Sequence, residues 1–133
     1  MDKELVAEWF RFAEIDIDTA LLLKDMRPQH YEVICFHCQQ AAEKYLKGFL
    51  ISKDQMPPKT HDLDHLCHLC AEHNNNFLDL LTQCIYLTRF AVQPRYPEEI
   101  HVTSIDVDKA VKYALNIKDF PVIAQLMESV NAV

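Results

Sequence analysis

The stretch CFHCQQAAEKYLKGFL, Cys35 to Leu50, decides the fold. Ile34, Cys38, Ala41, Ala42, Tyr45 and Phe49 recur at steps of three and four residues, while His37, Gln40, Lys44 and Lys47 fall between them. That is the period of a helix with one apolar face, and no proline interrupts it, so a helix is expected from about Tyr31 to Ser52. The same stretch opens with a C-x-x-C pair, and a second pair, Cys67 and Cys70, lies in HDLDHLCHLC. Two such pairs with histidines nearby raise the question of zinc.

Helical geometry answers it. Each residue turns the helix by about 100°, so Cys35 and Cys38 both point into the apolar stripe. Cys67 and Cys70 share the face of Leu63 and Leu66, whereas His61, His65 and His68 fall on the opposite face with Glu72. Structural zinc pairs sit in knuckles with turn residues around them, which neither pair has. The cysteines are read as core thiols, the histidines as a solvated face, and no metal or other cofactor is expected.

Outward from this helix the pattern repeats. Leu5, Val6, Trp9, Phe12, Ala13, Ile17, Ala20 and Leu23 form one stripe of a first helix, broken by the RPQ of Arg27 to Gln29. The consecutive prolines of DQMPPKT make a loop, since they lack amide donors and push their predecessors out of helical geometry. Thr60 is the expected N-cap of a short third helix ending near EHNNN; a fourth should run from about Phe77 to Val92. After the loop QPRYPEEIHVTS, Thr103 or Ser104 should cap a last helix carrying Val107, Ala110, Val111, Ala114 and Ile117, with Pro121 kinking or restarting it. The expected fold is all-α: one domain over residues 1–133, an antiparallel up-and-down bundle of four long helices and one short one.

Thirteen basic against twenty acidic residues give a net charge of −7, which disfavours sequence-independent binding to phosphate backbones, so no DNA partner is expected. From Lys44 to His61, however, four lysines stand against Asp54 alone, which makes this segment the candidate anion-facing region. No apolar run reaches membrane-spanning length and no signal pattern opens the chain, so a cytoplasmic protein without membrane association is expected. Five cysteines without a secretion signal read as free thiols.

Two residues break the amphipathic pattern. Asp16 lies inside the first helix's apolar stripe, where a bare carboxylate is costly; it requires a partner, a proton or a shared interface. Phe36 falls on the polar side of the second helix beside Gln40 and Glu43, which marks a surface for a partner and, with it, a homodimer.

Taken together, AEIDIDTA on helix one, CQQAAEKYLKGFL on helix two, PPKTHDLDHL after it, RYP at Arg95 to Pro97 and DVDKAVKYALNI on the last helix resemble the HEPN domain family, named for higher eukaryotes, prokaryotes and nucleotide binding. The resemblance implies a helical bundle that often dimerises and is often paired with a small nucleotidyltransferase, as in toxin–antitoxin pairs. It further implies a nucleotide- or RNA-binding module, for which Asp16, Lys44, Lys47, His61 and Arg95 are the ligand-binding candidates. Some members are metal-independent ribonucleases with an arginine and a histidine separated by four to six intervening residues; Arg95 and His101 have five between them. In such a pair the histidine moves the proton of the RNA 2′-hydroxyl and the arginine neutralises charge on the phosphate.

Overall fold

The computed structural model describes residues 1–92 and 101–132. Six α-helices, α1 (Lys3–Asp25), α2 (Tyr31–Ser52), α3 (Leu63–Ala71), α4 (Leu81–Thr88), α5 (Ser104–Lys118) and α6 (Pro121–Asn131), pack into a bundle, with a 3₁₀ turn over Asn75–Leu80 before α4. There is no strand among the described residues, and no described helix is long and apolar enough to cross a membrane.

The second helix is the centre of the molecule. It packs against α1 along its length and also against α3, α4, α5 and α6. Its apolar side, from Ile34 through Tyr45 to Leu50, is fully buried, and all five cysteines lie in the same core. Burial pushes the Cys35 thiol up to about 12 and those of Cys38 and Cys70 further in the same direction, so these sulfurs stay protonated. His61, His65 and His68 are exposed while Cys67 and Cys70 are buried, as the two-faced reading of α3 requires.

Three expectations are corrected. The fourth long helix is instead a 3₁₀ turn followed by the eight-residue α4. The Asn74 side chain accepts from the Asn76 amide at 3.0 Å and so starts a tight turn. At the other end, the Phe90 and Ala91 amides bond three residues back, and helix geometry stops there. The cap of α3 is Asp62, not Thr60. Asp62 accepts from the Asp64 amide, while Thr60 Oγ1 accepts from the Asp62 amide one step earlier.

The third correction concerns the stripe on α1. Phe10, 1 % exposed, takes the core position, and Phe12 lies outside at 48 %. Phe36 is half-buried, its ring edge-on to that of His37, so the exposed aromatic is on α1 and not on α2. Pro121 does restart the chain as a separate helix, at the first-turn position that tolerates a missing amide hydrogen.

Gly48 is the one glycine in the sequence, and it sits where α1 crosses α2. A Cβ there would come within 2.8 Å of Phe10 Cε1 and 3.2 Å of Trp9 Cβ. Phe10 is walled in by the core and the Trp9 Cβ is fixed to its backbone, so neither can yield cheaply. Gly48→Ala should therefore destabilise the fold by about 1–3 kcal/mol, although alanine is intrinsically the better helix former. Urea unfolding followed by circular dichroism measures this.

The start of α5 carries a second check. Thr103 caps it, and Asp106 reaches back to the Thr103 amide at 3.0 Å. The Tyr86 hydroxyl at 2.5 Å, the Thr103 amide and Arg89 hold the Asp106 carboxyl below its ordinary value. A depressed carboxyl pKa stabilises the fold above its unfolded value of about 3.9, and that stability is lost as pH falls through the folded value. Asp106→Asn should cost about 1 kcal/mol at neutral pH, the usual contribution of a capping side chain. The gap from wild type should close in melts below about pH 4.

Candidate functional site

The polar residues of α2 are held by two buried carboxylates. Asp16, on α1, is only 6 % exposed. It accepts from His37 Nδ1 at 2.9 Å and from Lys44 Nζ. His37 and Lys44 are seven residues, two turns, apart and therefore share one face of α2, where both can reach one carboxylate across the helix pair. Asp16 thus has two of the partners its position demands, and the contact ties α1 to α2.

Glu43, 5 % exposed, repeats the arrangement on the neighbouring face. It accepts from Lys47 Nζ at 3.1 Å and His61 Nδ1 at 2.8 Å, with the Gln39 amide at 3.3 Å. Gln39, Glu43 and Lys47 rise four residues apart and form a ladder along the helix. Gln39 also donates to the His61 carbonyl at 3.0 Å and accepts from Gln40 at 2.7 Å. The chain entering α3 is thereby fastened over α2.

A carboxylate can only accept, so in both triads the imidazole proton sits on Nδ1. Nε2 is left as the nitrogen that the carboxylate does not use, an acceptor when the ring is neutral and a donor when it is protonated. His61 is 64 % exposed and His37 24 %, so the first is open to a ligand and the second is partly sheltered.

The ligand candidates therefore fall into two groups. Asp16 and Lys44 belong to one triad, Lys47 and His61 to the other. Lys44 and Lys47 each already neutralise a carboxylate, so two of the four lysines counted along the sequence are compensated in space. Arg95 lies outside the described residues. His101 is exposed and lies two residues before the Thr103 cap. His37 and Glu43 were not among the candidates. Their signals were present: His37 shares the face of Lys44, and Glu43 stands four residues before Lys47.

The all-helical bundle and its buried polar band define a class, and comparison with known proteins gives the family. The HEPN domain model matches residues 6–125, and the chain belongs to that family. A crystal structure of a Thermus thermophilus protein superposes with a TM-score of 0.76 at 23 % identity, covering 91 % of this chain and 97 % of that one. A crystal structure described as an archaeal HEPN homologue gives 0.71 at 28 % identity, with the same coverage. No curated protein matches the chain.

Removing one partner of a buried charged set leaves the others uncompensated. Asp16→Ala should cost about 2–4 kcal/mol, reduced from the fully buried case because Lys44 is a quarter exposed. In a double-mutant cycle, Asp16→Ala and Lys44→Ala should couple by at least about 1 kcal/mol. Additive effects in urea unfolding would show that the two residues do not act as a pair.

Proposed function

We propose that this HEPN domain is a nucleotide- or RNA-binding module that works as a homodimer beside a small nucleotidyltransferase, in a toxin–antitoxin-like pair. Family membership supports the nucleotide- or RNA-related part. The observation that carries the ligand side is the Glu43–His61 pair: an exposed imidazole, held by its Nδ1, next to Lys47. In its protonated form such a ring presents an Nε2–H donor to a phosphate oxygen without further ordering. With both lysines engaged by carboxylates, binding in this reading is modest in affinity. Arg95 is a further candidate cation, taken from the sequence and the family resemblance alone. The nucleotidyltransferase partner rests on the family resemblance alone.

Titration with a short single-stranded RNA and with a nucleoside triphosphate should show weak binding that falls as salt is raised. His61→Ala should weaken it about tenfold; because the ring also meets buried Glu43, the unfolding midpoint should fall somewhat as well, and an unchanged circular dichroism spectrum should show that the variant is folded. Binding unchanged by both His61→Ala and Arg95→Ala would contradict the site. The same samples test cleavage: in the presence of chelator, no product above background is expected. Cyclic-phosphate ends that vanish in both Arg95→Ala and His101→Ala would replace the binding reading with a ribonuclease, since a general acid or base contributes a factor of about 10² to 10⁴ in rate.

A further inference from the structure

The outer side of α1 carries a second apolar stripe that takes no part in the core. Leu5, Phe12, Ile15, Leu22 and Met26 are each between 43 and 69 % exposed. With Glu8 and Thr19 they occupy positions 5, 8, 12, 15, 19, 22 and 26, alternating steps of three and four, which is the spacing of a coiled-coil seam. At about 100° per residue these side chains fall in one sector roughly 150° away from Val6, Phe10, Ala13 and Ile17, which face the core. From Leu5 to Leu22 the stripe runs about 26 Å along the helix, and Met26 follows at its C-cap. Beside its first half, Leu5, Glu8, Trp9, Phe12 and Lys44 enclose a groove of about 370 Å³. Single exposed apolar residues are ordinary, but a heptad-spaced row with five apolar residues at seven positions is the mark of an interaction surface.

We infer that this face pairs with the same face of a second copy of the chain, the two α1 helices running antiparallel. The register follows from the residues. When Phe12 faces Ile15 of the second copy, Leu5 faces Leu22 and Glu8 faces Thr19. Apolar then meets apolar at four of the six layers, and the one charged seam position meets a hydroxyl at the other two. The same register brings Arg11 beside Asp18 of the second copy, twice by symmetry, as flanking charge pairs at the middle of the seam, while the like-charged Glu4 and Asp25 meet only at its two ends. A parallel pairing in register would instead set Glu8 against Glu8 and leave like charges in the seam. Arg11 already lies on the rim, its guanidinium 4.7 Å from the Phe12 ring centre and bonded to Glu8 at 2.8 Å. The inference rests on the homodimer of the proposed function and on none of its ligand residues.

Sedimentation velocity on the full chain tests it. The wild type should sediment at twice the chain mass. Phe12→Glu should raise the dissociation constant at least about 100-fold, because it places a carboxylate in an apolar layer. Arg11→Asp and Asp18→Arg should each weaken the dimer about tenfold, and the double variant, which swaps the charges, should return to within about threefold of wild type. All the altered side chains are exposed, and unchanged circular dichroism would confirm that each variant is folded. A wild type that stays monomeric at the highest soluble concentration would overturn both this interface and the homodimer. A dimer indifferent to Phe12→Glu would overturn the interface alone, and a charge swap that fails to restore affinity would overturn the antiparallel register.

Discussion

The contact between Asp16 and the pair His37 and Lys44 is the constraint from which the rest of the arrangement follows. A carboxylate among Ala13, Ile17 and Ala20 is expensive unless it is met by charge and hydrogen bonds. Meeting it requires α2 to turn one chosen face toward α1. That choice fixes the rotation of α2, and with it the burial of the adjoining stripe of Ile34, Cys38, Ala42 and Tyr45, whose Tyr45 ring packs on Phe10 of α1. Gly48 then permits the two backbones to approach at the crossing, where Phe10 and Trp9 leave no room for a side chain. One polar contact and one missing side chain set how the two longest helices meet.

Because α2 is surrounded, its polar residues have to be satisfied internally, and the second carboxylate extends the same logic. Glu43 takes His61 from the loop before α3, and Gln39 takes the His61 carbonyl, so the polar band serves as scaffolding before it serves any ligand. Its chemistry is a by-product of that scaffolding. Two imidazoles are held by one nitrogen each, and His61 is open on the outside. A site built in this way is preorganised, since the rings are oriented whether or not a ligand is present.

The sequence made α2 legible to the residue at both ends, because its period is unbroken from Tyr31 to Ser52. On α1 the same rule was ambiguous. Three- and four-residue steps can be threaded through Leu5 and Phe12 or through Val6 and Phe10, and only packing selects the second. The short α4 was hidden because its start depends on the Asn74 side chain and its end on hydrogen bonds three residues back, both local choices that periodicity does not record. At the site, Asp16 stands out in the sequence as a misfit, whereas Glu43 shows only its four-residue spacing to Lys47. Glu43 sits at the edge of a polar face, and its burial comes from a loop that lies eighteen residues further on. Lys44 and Lys47 looked like free charge for a related reason: the carboxylate that neutralises Lys44 comes from another helix.

The account stands on the claim that the two carboxylates fix the two imidazoles, and long-range proton–nitrogen correlation spectra of the histidine rings read this directly. His37 and His61 should both show the proton on Nδ1, and Asp16→Asn should change the His37 pattern while leaving His61 as it was. Rings protonated on Nε2, or averaged between the two nitrogens, would contradict it.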